Sequence, residues 1–150
     1  MIAVIQRVSR ATVSVDNEIV GKCGEGLCVL LGVAKGDTME DADALVRKIL
    51  NLRIFCDDAG KMNRSVCDVG GEMLIISNFT LLAAYKKGNR PDYMGAAAPD
   101  VAKELYEYFA ECCGCFVPVE CGIFGADMKV DIANDGPVTI VMDSGVLLGK

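Results

Sequence analysis

Three polar side chains interrupt the apolar stretch MLIISNFTLL at residues 73–82: Ser77, Asn78 and Thr80. Two hydroxyls and a carboxamide this close together can orient an ester or an amide. Backbone N–H groups beside them can face a developing oxyanion. The plain alternative is a sheet edge, or hydroxyls satisfied by neighbouring backbone. A threonine becomes a nucleophile only with an adjacent base. The chain contains no histidine, which removes Ser-His-Asp and Cys-His catalysis within it. No lysine lies in the stretch either. Any hydrolysis here must use another route.

A second stretch, NDGPVTIVMD at residues 134–143, joins a turn to a β-branched strand. Gly136 has no side chain and Pro137 no N–H, so the backbone there is bare, stiff and short of one donor. Ordinary punctuation is one reading. A wall of carbonyls facing a ligand is the other.

These residues need elements to position them. Residues 2–8 and 11–15 read as two strands, with a hairpin turn at 16–18 and a following strand through Val20. The run LCVLLGV at 27–33 predicts a strand buried on both faces. Thr38 and Asp41 resemble a capping box, with Asp in place of Glu or Gln. Ala42, Leu45, Val46 and Ile49 then keep helical spacing, predicting an amphipathic helix ending near Leu52. Residues 53–56 predict a short strand, 57–61 a turn, and 73–82 a long apolar strand. Residues 84–98 read as loop. Pro99 opens a second helix through Val101, Leu105, Tyr108, Phe109 and Cys112, with Gly114 as its stop. Strands are expected near 116–121 and 126–132, then the Gly-Pro turn and a final strand. The fold class is α+β: one domain over 1–150, a mostly antiparallel, barrel-like sheet with two packed helices.

Composition narrows the possibilities. The hydrophobic fraction is 52% and the mean hydropathy +0.34, high for a soluble domain of 150 residues. No apolar run is long enough to span a membrane, so burial in a tight oligomer is the expected outlet. The N-terminal MIAVIQRVSR lacks a basic segment before its apolar residues and does not read as an export signal, which points to the cytoplasm. Reduced, partly buried thiols are then expected for the eight cysteines. The CCGC cluster at 112–115 suits tetrahedral zinc poorly, and no metal is expected. A net charge of −6 argues against nonspecific nucleic-acid binding, without excluding a local basic patch.

At this point the two stretches resemble a known family. SNFTL at 77–81 is similar to the SQFTL signature of D-aminoacyl-tRNA deacylases, and NDGPVT at 134–139 to their second signature. MIAVIQRVSRATV at the start, RIFCDDAGKMN at 53–63, GNRP at 88–91 and FGADM at 124–128 resemble further family segments in the same order. Two positions depart from the pattern. Asn78 replaces the usual Gln, one methylene shorter, and Ile123 stands where many members carry a basic residue.

The resemblance implies a homodimer without a cofactor that hydrolyses the ester between a D-amino acid and the terminal adenosine of tRNA. It places the active site at the dimer interface. One subunit supplies Ser77, Asn78, Phe79 and Thr80, and the other inserts Gly136 and Pro137 across a cis peptide bond. Arg7 would brace that turn or touch RNA, or be an ordinary solvated charge. Phe79, Phe124 and Met128 would line the adenosine pocket, although core packing serves the last two equally well. Lys86, Lys87 and Arg90 form a basic loop that could meet tRNA phosphates or simply be solvated. A noncatalytic RNA-binding or scaffold dimer on the same fold is the rival reading. A cysteine-based hydrolase is weaker, since no cysteine has a histidine partner.

Overall fold

The computed structural model describes residues 1–150. Its spine is β1 (Ile2–Val15), a single strand where two were expected. Arg10 stays paired with Ala133 across the expected gap, so the chain never leaves the sheet. The first half of β1 pairs antiparallel with β3 (Gly26–Gly32) and the second half with β2 (Glu18–Cys23). Along its other edge runs β8 (Lys129–Asp143), also antiparallel. Asp16 and Asn17 both take positive φ, 51° and 66°, closing the β1–β2 hairpin in the left-handed geometry that matches strand twist.

The remaining pairings in the main sheet are parallel: β3 with β6 (Glu72–Ser77), and β6 with β7 (Val119–Cys121). Parallel neighbours need crossovers, and the helices supply them. α1 (Met39–Leu50) lies between β3 and β6, and α2 (Pro99–Gly114) between β6 and β7. The sheet is thus mostly antiparallel, as expected, through the three pairings of β1, and the two parallel pairings were not foreseen. β4 (Phe55–Cys56) and β5 (Met62–Arg64) form a separate small hairpin.

The sheet closes almost into a barrel because its two edges meet. The Lys22 N–H of β2 donates to Glu120 Oε2 of β7 at 2.8 Å. A Cβ on Gly21 would lie 2.5 Å from the Cys121 carbonyl oxygen, so glycine permits the approach. Strands buried on both faces divide their side chains by alternation. Leu27, Val29, Leu31, Met73 and Ile75 join the larger core under the helices, with Leu45, Ile49 and Phe109. Cys28, Leu74 and Ile76 face the smaller core with Val8, Ala11 and Val13.

The helices follow their sequence signals at the start and less well at the end. The Thr38 N–H donates to Asp41 Oδ2 at 3.0 Å, the reciprocal half of the capping box. Pro99 occupies the first turn of α2. Gly114 is not a left-handed stop: it remains helical, and Cys115 caps in the right-handed region. A short third helix, α3 (Ser144–Leu148), was not expected. Asp143 caps its start, and Gly149 closes it at φ 68°. No helix is long and apolar enough to cross a membrane.

Candidate active site

The apolar run at 73–82 is not one strand. β6 ends at Ser77, and residues Phe79–Leu82 form a single 3₁₀ turn. The Asn78 N–H still bonds the Leu31 carbonyl, at 2.8 Å, and is the last bond to the neighbouring strand. Beyond it the chain folds over Gly32, where a Cβ would lie 2.5 Å from Leu82 Cδ2 and 2.9 Å from the Asn78 carbonyl oxygen. Ser77, Asn78 and Thr80 therefore mark a strand's end rather than interrupt a strand. The Thr80 hydroxyl donates to Asn78 Oδ1 at 2.5 Å. Phe79 and Thr80 open the turn, so the helical pattern leaves their N–H groups without backbone partners.

That turn stands at the carboxyl ends of parallel strands β3 and β6, where open sheets with parallel strands commonly bind ligands. A cavity of about 720 Å³ lies there, lined by Ser77, Asn78, Phe79 and Thr80, and by Phe124 and Met128 from the segment before β8. Its walls are mainly apolar, and Asp127 is the only charged side chain among them. Phe124 also packs against Tyr106, ring centroids 5.9 Å apart, so it serves core and cavity together. Tyr106 donates to the Ile75 carbonyl at 2.7 Å, and burial pushes its phenol well above the usual range. It is a fixed wall, not an acid. Phe79 is 59% exposed and meets Tyr93 edge to face, centroids 5.1 Å apart.

The Gly-Pro segment lies inside β8 as a bulge rather than a turn between strands. Gln6 faces Thr139 and Val8 faces Asn134, so residues 135–138 stand opposite Arg7 alone. Asn134 closes the bulge. Its Oδ1 accepts from the Val138 N–H at 2.8 Å, and its Nδ2 donates to the Val138 carbonyl at 3.2 Å. Arg7 holds the bulge from below: Nε donates to the Asp135 carbonyl at 2.9 Å and Nη1 to the Ile54 carbonyl at 2.6 Å. Its side chain is 12% exposed, which favours the bracing role over a solvated one. The Gly136–Pro137 bond is cis, and Gly136 has φ 143°. A Cβ there would lie 2.7 Å from the Val138 nitrogen, so local backbone already demands glycine, before any ligand is considered.

One group of the expected residues thus shares a cavity: Ser77, Asn78, Phe79, Thr80, Phe124 and Met128. Arg7, Gly136 and Pro137 form a second group that does not line it. Sequence reasoning missed Tyr106, Asp127, Ala96 and Ala97, which also line the cavity. Tyr106 sits at a core position of α2 and carried no separate signal. No cluster of His, Cys, Asp or Glu side chains is arranged to hold a metal ion. The cysteines are free, and burial pushes the Cys23 thiol up to about 11 and those of Cys28 and Cys113 up to about 12.

Comparison with known proteins adds to this geometry. The family model described as D-Tyr-tRNA(Tyr) deacylase matches residues 4–143. The chain is 56% identical over 147 residues to a D-aminoacyl-tRNA deacylase of Persephonella marina, covering 98% of this chain and all of that one. It is 57% identical over 144 residues to a D-aminoacyl-tRNA deacylase of a Sulfurihydrogenibium species, covering 96% and 98% respectively. Among solved structures it resembles a c-Myc DNA unwinding element binding protein, with TM-score 0.90, 45% identity, and 95% and 98% of the two chains covered. A probable eukaryotic D-amino acid tRNA deacylase shares the fold at TM-score 0.79 and 19% identity, over 95% and 98% of the two chains.

Proposed function

The chain belongs to the D-Tyr-tRNA(Tyr) deacylase family, and from that premise we propose how its two residue groups act together. The protein is a D-aminoacyl-tRNA deacylase, a carboxylic ester hydrolase. The cavity beside Asn78 and Thr80 takes the terminal adenosine and its ester. The Gly136–Pro137 bulge of a second copy closes that cavity and reads the chirality of the amino acid.

The observation that carries this reading is the separation of the two groups within one chain. The bulge is held by Arg7 and Asn134 and does not line the cavity, which lies open beside the SNFTL turn. A homodimer with the site at its interface brings the two together. The bulge is a poor partner for a side chain. An L side chain would point into its bare backbone, whereas a D side chain would point away. Glycine has no side chain to exclude, so glycyl-tRNA is cleaved as well.

Hydrolysis proceeds without a covalent acyl-enzyme. Thr80 has no base beside it, and its hydroxyl is already engaged with Asn78. Water attacks the ester carbonyl, assisted by the neighbouring ribose hydroxyl of the substrate. The N–H groups of Phe79 and Thr80 stabilise the developing oxyanion, a contribution of about 3–4 kcal/mol per donor in well-studied hydrolases. The C–O bond to the ribose then breaks, and its oxygen takes a proton as the free amino acid leaves. Fixing the ester against these donors supplies the rest of the acceleration. A tRNA ending in an adenosine that lacks the vicinal hydroxyl tests the mechanism. Its D-tyrosyl ester should bind as well as the normal one and hydrolyse far more slowly; equal rates would assign proton transfer to the protein. The rival, a noncatalytic RNA-binding dimer, predicts binding with no release of D-tyrosine from either.

A further inference from the structure

The loop at residues 85–91, YKKGNRP, is a seven-residue tip with a closed neck. The Ala84 N–H donates to the Asp92 carbonyl at 2.7 Å, and the Asp92 N–H returns to the Ala84 carbonyl at 2.8 Å. The base of the loop is built into the rim of the cavity. Tyr93 packs on Phe79 at 5.1 Å, the Lys35 N–H bonds the Gly95 carbonyl at 2.9 Å, and Ala96 and Ala97 line the cavity itself.

The tip carries Lys86, Lys87 and Arg90 and no acidic residue, in a protein of net charge −6. None of the three cations forms an ion pair with an acid, although basic side chains elsewhere do so at Asp41, Asp58, Asp135 and Glu107. The neck acid, Asp92, is occupied by its own turn, where Oδ1 accepts from the Met94 N–H at 2.7 Å. Tyr85 stands on the same tip with 81% of its surface exposed, and Met94 below it with 71%. The exposed ring of Tyr85, beside three unpaired cations, is free to stack on a partner. The rim contributed by residues 125–127 bears Asp127 instead, which repels phosphate.

We propose that this loop is the exit track for the single-stranded 3′ end of the tRNA. Tyr85 stacks a base upstream of the terminal adenosine, and Lys86, Lys87 and Arg90 hold the phosphates between them. The inference rests on the deacylase reading and extends it: once the adenosine fills the cavity, its 5′ phosphate must leave over the rim, and this is the basic side. A π platform beside paired cations suits an unpaired strand, whose bases are free to stack.

Two substrates separate the loop from the chemistry: D-tyrosyl-tRNA and the minimal ester 2′(3′)-O-D-tyrosyl-adenosine. Tyr85→Ala should lower kcat/KM on the tRNA by about five- to a hundredfold, the usual worth of one stacked base. The triple variant Lys86→Ala, Lys87→Ala, Arg90→Ala should flatten the log kcat/KM against log salt plot by about 2, at roughly 0.7 per single-strand phosphate contact. Both variants should cleave the adenosine ester at the rate of the unmodified protein and keep its oligomeric state. An equal loss on both substrates, or a change in oligomeric state, would make the loop structural and overturn the proposal. So would undiminished kcat/KM on the tRNA. Failure of the unmodified protein to cleave either ester would instead reject the deacylase reading itself.

Discussion

Arg7 holds the main chain of Asp135, with Nε 2.9 Å from its carbonyl oxygen, while the other end of the same guanidinium reaches the Ile54 carbonyl at 2.6 Å. One planar cation thus ties the Gly136 bulge to the segment leading into β4. Two divergent carbonyls require the guanidinium fork, which an ammonium lacks.

Arg7→Ala leaves both carbonyls without their charged donor. It should lower stability by about 1.5–3 kcal/mol, the range for hydrogen bonds to charged groups. It should also narrow the ratio of D- to L-tyrosyl-tRNA cleavage. Arg7→Lys should recover part of the stability and little of the selectivity. Urea unfolding and paired deacylation rates measure the two effects separately.

Asn134 does for the bulge from within what Arg7 does from below. Asn134→Ala removes its bonds to both peptide groups of Val138 and to Thr139 Oγ1. The expected cost is about 1–3 kcal/mol. Asn134→Asp keeps the acceptor for the Val138 N–H and loses the donor, so it should fall between the two in stability and in D-over-L selectivity.

Thr80→Val deletes the hydroxyl that donates to Asn78 and keeps the side chain's shape. Appreciable D-tyrosyl-tRNA hydrolysis should remain, because attack comes from water assisted by the substrate. Complete loss with tRNA binding intact would restore threonine as the nucleophile.

The legibility of this chain followed the range of each signal. Local signals read well: the capping box at Thr38 and Asp41, Pro99 at the head of α2, and the two-faced burial of β3. The strand expected at 73–82 overran because apolar runs look alike as strand or 3₁₀ turn. Its true end was written elsewhere, in Gly32, which leaves room for Leu82 and the Asn78 carbonyl to fold across β3. The parallel pairings were missed in the same way, since they show only as helices long enough to cross over. Gly21 marks the barrel's closure but looks like any strand glycine until Cys121 is placed against it. Within the site, the signature residues were found by resemblance. Tyr106, Ala96 and Ala97 reach the cavity through tertiary packing and left no local pattern.

Asp41 predicts the acid limb of stability. Burial alone would raise its pKa, but hydrogen bonds from Lys150, the Thr38 N–H and Ser144 outweigh this and hold it at about 2. A folded-state pKa below the unfolded one gives stability that is present above the ordinary carboxylate range. That stability is lost as pH falls from about 4 through about 2. Asp41→Asn should therefore be less stable than the unmodified protein at pH 7, by on the order of 2 kcal/mol. The gap between their urea midpoints should close as the pH approaches 2. A gap that persists unchanged at low pH would show that packing, not charge, sets the value of this carboxylate.

The chiral wall is tested most directly by one time course, with substoichiometric protein and D-tyrosyl-, L-tyrosyl- and glycyl-tRNA in parallel. Rapid loss of the D and glycyl esters with the L ester spared is the expected result. Cleavage of both tyrosyl enantiomers at similar rates would contradict the role given to Gly136 and Pro137, and no cleavage of any ester with tRNA still bound would contradict the catalytic reading.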